Sequence, residues 1–171
     1  MSWLYKRHAY FLLNELKLTF KLYIMSSRLF IGKSYPEGFK ALNELDKVIK
    51  ESGIDKWYQE LIKIRASHIN GCAFCLDKHT QDALLLGIDA RKINLVAVWK
   101  EATDHFTEEE QLILQVTEAI TLIHEDGLSD ELYSKCISVF GDTDTVKIIM
   151  AATVINTWNR IGVGFKMQPK F

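Results

Sequence analysis

Proline is almost missing from this chain of 171 residues: it occurs twice, at 36 and 169, so no proline interrupts a helix between those positions. The two-residue apolar alternation of a half-buried strand is missing too, and apolar spacing runs at three and four. Cysteine is scarce and odd in number, at 72, 75 and 136. That is a poor disulfide framework for a secreted protein. It fits a reducing, cytoplasmic setting, where a close cysteine pair serves redox chemistry or a metal. Excess positive charge is also lacking, since the net charge is −1. A general nucleic-acid binder, whose affinity comes from neutralising phosphates, is therefore not expected. No repeat or low-complexity tract is present.

Long apolar runs are absent as well. The nearest approach, WLYKRHAYFLLNELKLTFKLYIM, is broken by Glu15, Lys17 and Lys21, so it is no membrane span. It also lacks the uninterrupted apolar centre and small-residue cleavage site of a secretory signal. Leu12, Leu16 and Phe20 recur every four residues and suit an amphipathic helix. Residues 1–24 carry a net charge of +3 and the remainder −4, which sets them apart as an N-terminal extension. The main domain is expected over 25–171, with Met25 an alternative start. The readings open for the extension are upstream sequence, an added helix, or a surface or targeting segment.

What the chain does have is a 48% apolar composition, enough for one well-packed domain. Its punctuation predicts a compact all-α bundle of about six to seven helices. One opens at Pro36 and runs through Phe39, Leu42, Leu45 and Ile49 to Gly53. A second spans about Asp55 to Ser67. A third starts near Asn70, as N-cap, and stops at Gly87. A short fourth covers Ala90 to Lys100. The fifth carries a capping box, Thr107 with Glu110, before Ile113, Val116, Ile120 and Ile123. A sixth opens at Ser129 and closes before Gly141. The seventh bears Val146, Ile149, Met150, Thr153, Val154, Thr157 and Trp158.

The third helix carries the chemistry. At about 100° per residue, Cys72, Cys75 and His79 share an arc of roughly 60°. Ala83 and Leu86 extend that face, while Phe74, Leu84 and Leu85 lie opposite with Asp77 and Gln81. Apolar residues on both sides predict a central helix, buried in the bundle or at a subunit contact. Thiolate is the reactive form of cysteine, and free backbone N–H groups at a helix start favour it. His79, one turn after Cys75, could take the thiol proton. Cys72 and Cys75 are close enough for a disulfide, and a sulfenic acid on one would condense with the other. Geometry leaves the attacking sulfur open: the helix start favours Cys72, and the turn to His79 favours Cys75. Structural zinc is the rival. Cys-x2-Cys-x3-His supplies three ligands where a closed site usually needs four, and only Glu60 or His68 stands near to complete it. Cys136, between Tyr133 and Phe140, reads as a core filler. His8, His105 and His124 have no partner pattern.

At these residues the sequence resembles the alkylhydroperoxidase D-like branch of the carboxymuconolactone decarboxylase family. The matching pattern is Glu60, eleven residues, Cys72-Ala73-Phe74-Cys75, then Leu76-Asp77-Lys78-His79, within RASHINGCAFCLDKHTQDA. Further matches are TEAITLI (Thr117 to Ile123) and INTWNRIGV (Ile155 to Val163), so the likeness spans about residues 27–165. The resemblance implies an all-helical fold assembling into trimers or hexamers, and peroxidase activity without haem, flavin, metal or other cofactor. By motif position it makes Cys75 the peroxidatic cysteine and Cys72 the resolving one, with Glu60 and His79 in a proton relay. The best-known type of the family has a further relay histidine just before its second cysteine, where this chain has Phe74; His68 is a nearby substitute in sequence. On spacing alone Glu60 would be a solvated carboxylate paired with Lys63 or an arginine. Asn156, Asn159 and Arg160 are expected to buttress the site or an interface. The implied partners are a hydroperoxide and an external thiol or dithiol reductant. Two rival functions are a lactone decarboxylase, which has no need of a dithiol, and a non-enzymatic redox sensor.

Overall fold

The computed structural model describes residues 28–169, so the expected extension over 1–24, His8 included, lies outside the described residues. Among the described residues there are helices and no strand, as the periodicity predicts. They are α1 (Ile31–Ser34), α2 (Pro36–Lys50), α3 (Lys56–Asn70), α4 (Ala73–Leu85), α5 (Ala90–Leu95), α6 (Glu108–Thr121) and α7 (Asp130–Gly164). Two 3-10 segments, Val96–Glu101 and Thr103–His105, link α5 to α6. None of these helices is long and apolar enough to cross a membrane.

Several helix starts follow from side chains that satisfy free N–H groups. Asp55 accepts from the N–H groups of Trp57 and Tyr58 at 2.8 and 3.3 Å. Thr107 and Glu110 form the expected capping box, and Ser129 caps α7. Three expected boundaries need correction. Asn70 ends α3 and does not cap the next helix; Gly71, at φ 63°, turns the chain, and Cys72 is the N-cap of α4. The fourth helix is α-helical only to Leu95 and continues as the tighter 3-10 form. The sixth and seventh have no loop between them, because Gly141 adopts φ 74° and bends α7 within the length of one residue.

The central helix also differs from expectation. It is α3, not α4. Leu61, Ile62 and Ile64 have 0% exposure, and even Gln59 and Lys63 are buried, because α4, α6 and α7 all pack on α3. Each fully buried Leu or Ile contributes about 1.5–3 kcal/mol. By contrast α4 buries Cys75, His79 and Ala83 on one face and leaves Leu85 86% exposed. The buried face of α7 is likewise rotated from the apolar residues picked out by type. Ile148, Ala151, Ala152, Ile155, Asn156 and Asn159 face inward, whereas Val146 and Met150 face out.

Two carboxylates on α6 hold the outer segments. Glu110 accepts from Trp57 Nε1 at 2.5 Å and Lys92 Nζ at 2.7 Å. Two turns on, Glu118 accepts from Arg65 Nε at 2.9 Å, Trp99 Nε1 at 2.7 Å and Lys100 Nζ at 2.7 Å. They tie α3 and the 90–101 segment to one face of α6 and so hold α3 square behind the cysteine helix.

Candidate active site

The sharp turn at Gly71 sets the cysteines. The Cys72 N–H donates to Ser67 O at 3.0 Å, which closes the end of α3. Cys72 then caps α4 with its sulfur, which accepts the Cys75 N–H at 3.3 Å. A helix start is thus built around a sulfur, in the place where Ser or Asp usually stands. Cys72 and Cys75 form a disulfide with 5.4 Å between Cα atoms, and both are buried.

The two sulfurs differ in surroundings. Cys75 lines a cavity of about 210 Å³ with His79, Phe74 and Lys78 from α4, Phe39, Asn43, Asp46 and Lys50 from α2, Trp158 from α7, and Met167. Cys72 does not line it. Gly162 of α7 lies against the bridge instead: a methyl group there would come 2.6 Å from Cys72 Sγ and 3.2 Å from Cys75 Sγ. Phe74 and Lys78 share the cavity with Cys75, so the division of α4 into opposite faces is too strict at its first turn.

Glu60 is buried, against the solvated position that spacing alone suggests. One oxygen accepts from Lys63 Nζ at 2.7 Å and the other lies 2.7 Å from His79 Nδ1. Burial pushes the Glu60 carboxyl up, but the His79 contact and the charge of Lys63 outweigh it and hold the group below the ordinary carboxylate range. A carboxylate kept ionised beside Nδ1 favours an N–H on that nitrogen, donated to Glu60, and leaves Nε2 as the other ring nitrogen. Glu60, His79 and Asp82 place donor atoms within 4.8 Å of one another, close enough to surround a cation. Both carboxylates already neutralise lysines, however: Lys63 on Glu60 and Lys78 on Asp82, each at 2.7 Å. That offsets the negative charge a divalent ion would need.

The other expected residues fall into place as follows. Asn70 Nδ2 donates to both Asn156 Oδ1 and Asn159 Oδ1 at 2.9 Å. Asn159 Nδ2 donates to Ser67 Oγ at 3.0 Å, Asn156 Nδ2 to Thr121 Oγ1 at 2.9 Å, and Arg160 to Asn156. These residues buttress the turn before Cys72 by joining α3 to α7. His68 is not brought to the cavity; burial and then Arg65 push its pKa down, and its Nδ1 has no hydrogen-bond partner among the described residues. His105 and His124 are exposed. Cys136 is a buried free thiol, as expected, and burial raises its pKa. Sequence reasoning missed Gly162, Asp82 and the α2 wall of the cavity. Asp82 was within reach, since it stands three residues after His79 on the same helix. A glycine inside a helical pattern was the available signal for Gly162.

The chain is similar to known proteins. The model of the carboxymuconolactone decarboxylase family matches residues 36–119, which include Glu60, both cysteines of the bridge and His79. The uncharacterised protein YdfG of Bacillus subtilis (strain 168) is 38% identical over 139 residues, covering 81% of this chain and 94% of that protein. A crystal structure from Agrobacterium tumefaciens is similar with a TM-score of 0.81 and 41% identity, over 85% of this chain and 99% of the other. That protein is of unknown function and is named as a candidate antioxidant-defence protein, AhpD. An uncharacterised peroxidase-related protein from a Silicibacter species shares the fold, with a TM-score of 0.70 at 20% identity, over 78% of this chain and 71% of that one.

Two outcomes test this geometry. Gly162→Ala should destabilise the oxidised protein by about 1–3 kcal/mol through overpacking, read from denaturant midpoints; an unchanged midpoint would mean that α7 does not press on the bridge. Because the Glu60 pKa is depressed, its pairing stabilises the fold above the ordinary carboxylate range and ceases to do so as pH falls through the folded value. Glu60→Gln should therefore flatten the acid limb of a stability-against-pH curve; an identical acid limb contradicts the pairing.

Proposed function

The chain belongs to the carboxymuconolactone decarboxylase family, in its alkylhydroperoxidase D-like branch, and from that premise we propose that it is an antioxidant thiol peroxidase acting through Cys72 and Cys75. The observation that carries this reading is one cavity walled by Cys75 and by a histidine that is itself held 2.7 Å from a buried carboxylate.

In the reduced protein, His79 Nε2 takes the proton of the Cys75 thiol, while Nδ1–H stays on Glu60. The Cys75 thiolate attacks one oxygen of a hydroperoxide. The O–O bond breaks, Cys75 becomes a sulfenic acid, and the departing alkoxide takes the proton from the imidazolium and leaves as an alcohol. Cys72, which loses its thiol proton, then attacks the Cys75 sulfur. The S–O bond breaks, water leaves with that proton, and the disulfide closes. An external thiol or dithiol supplies the two electrons that restore both thiols. Each step conserves protons inside the site, and neither a metal nor an organic cofactor takes part. Cys75 is the attacking sulfur because it faces the cavity, whereas Cys72 lies under Gly162. Phe39, Phe74, Trp158 and Met167 make the cavity wall largely apolar, which suits an organic hydroperoxide better than hydrogen peroxide. Phe74 thus adds apolar surface where a relay histidine would shorten the proton path.

We further propose a cytoplasmic homo-oligomer, a trimer or hexamer. Leu84 and Leu85 at the end of α4, Leu86 just after it, and Val146, Met150 and Val163 on α7 are large apolar side chains left exposed in one chain.

Peroxide consumption with a panel of reductants tests the activity. One equivalent of an organic hydroperoxide should remove two free thiols per subunit and leave Cys136 reduced. Cys75→Ser should abolish turnover, and Cys72→Ser should leave a sulfenate on Cys75 that a nucleophile can trap. Indifference to every peroxide and reductant sinks the enzyme reading, and a sulfenate found on Cys72 reverses the two roles. Light scattering should give three or six times the mass of one chain; a monomer overturns the assembly.

A further inference from the structure

His79 has a second carboxylate beside it. Asp82, three residues further along α4, brings Oδ2 to 3.6 Å from Nδ1, the same nitrogen that Glu60 holds at 2.7 Å. The two carboxylates differ in setting. Glu60 is mostly buried with Lys63, whose side chain is 4% exposed, so its charge is neutralised at close range. The side chain of Asp82 is 34% exposed, and that of its partner Lys78 is 46% exposed. A second cleft of about 240 Å³ opens on Asp82 and Glu60 past Lys56, Gln59 and Leu86, and Lys50 lies between it and the cavity that Cys75 lines. Water reaches Lys78 more than Lys63, which weakens the hold of the lysine on Asp82. Asp82 therefore offers the imidazole a second negative charge beside that of Glu60.

We propose that Asp82 is a positioning residue of the thiol relay, a second carboxylate that stabilises the imidazolium formed when His79 takes the Cys75 proton. The inference rests on the reading of His79 as the base for Cys75. The charged groups around the imidazole are Asp46 and Lys50 from α2, Glu60 and Lys63 from α3, and Lys78 and Asp82 from α4. From α7 the facing side chain is Trp158, which is uncharged. Lys56 lies beyond them, at the cleft that Glu60 and Asp82 line. Loss of Asp82 makes the field at the imidazole one unit more positive, and the imidazolium becomes harder to form. The coupling is visible from the other partner: the His79 contact first, and then Lys78, hold the Asp82 carboxyl far below the usual carboxylate range against the opposing effect of burial.

The test is the pH dependence of Cys75 alkylation by iodoacetamide in the reduced protein, followed by peptide mass, in wild type, Asp82→Asn and Asp82→Glu. With Asp82→Asn the alkylation midpoint should move up by about one pH unit, so that trapping below the midpoint slows about tenfold. Asp82→Glu should restore most of the rate. For an organic hydroperoxide, Asp82→Asn should lower kcat at neutral pH and leave KM unchanged. An unmoved midpoint in Asp82→Asn, or an Asp82→Glu midpoint equal to that of Asp82→Asn, overturns the proposal. Should Asp82→Asn fail to fold, Asp82→Ser gives the same reading. Alkylation needs no peroxide turnover, so a protein that reduces no peroxide but shows these shifts fails the peroxidase reading and keeps this one.

Discussion

A carboxylate buried in a helical bundle must be paired, because leaving it ionised and alone costs several kcal/mol. Glu60 is that carboxylate, and much of the surrounding architecture follows from how it is satisfied. Lys63, one turn along α3, takes one oxygen, and His79 of α4 takes the other. The Lys63 carbonyl accepts the Ser67 hydroxyl, and Ser67 accepts from Asn159 of α7. Asn70 then joins Asn159 to Asn156, which reaches Thr121 of α6. A continuous polar seam therefore runs from the acid to the far side of the bundle through the turn that positions Cys72. Such a seam stabilises only when every member is satisfied, which sets the mutual placement of four helices within narrow limits.

Reactivity in this frame is a matter of which atoms are left unsealed. Burial protects Cys72 and Cys136 from solvent, while Cys75 meets a cavity with an apolar wall. His79 has one nitrogen held 2.7 Å from Glu60, and its side chain lines the same cavity as Cys75. Lys50 and Lys78 bring charge to the rim, each held by an aspartate of its own helix. The likeness to a candidate AhpD protein at 41% identity extends over nearly all of that protein.

Much of the fold was legible because local signals and packing agree. Thr107 with Glu110, Asp55 and Ser129 mark helix starts that the structure keeps, and Gly141 marks the bend in α7. Asn70 misled because an amide suits a cap as well as a buried hydrogen-bonding post, and only the presence of α7 decides between the two. The burial of α3 was hidden for a similar reason: Gln59, Glu60 and Lys63 look like a solvated face until their partners from other helices are known. The stripe of α7 was legible in part: Val154 is buried and Ile149 and Trp158 pack on the core, but the inward face also uses Ala151, Ala152, Asn156 and Asn159, which a search for large side chains passes over. For the site, spacing found the cysteines and His79, and the family pattern added Glu60. The α2 wall and Gly162 come from distant segments, which no local period can report.

Gly162 gives the bridge a wall made of backbone. A side chain facing the sulfurs could swing aside when the S–S bond opens and the two atoms move apart. A backbone cannot, since α7 would have to slide as a whole. On the α7 side the room open to separated thiols is therefore bounded by backbone, while on the other side Cys75, and not Cys72, meets the cavity.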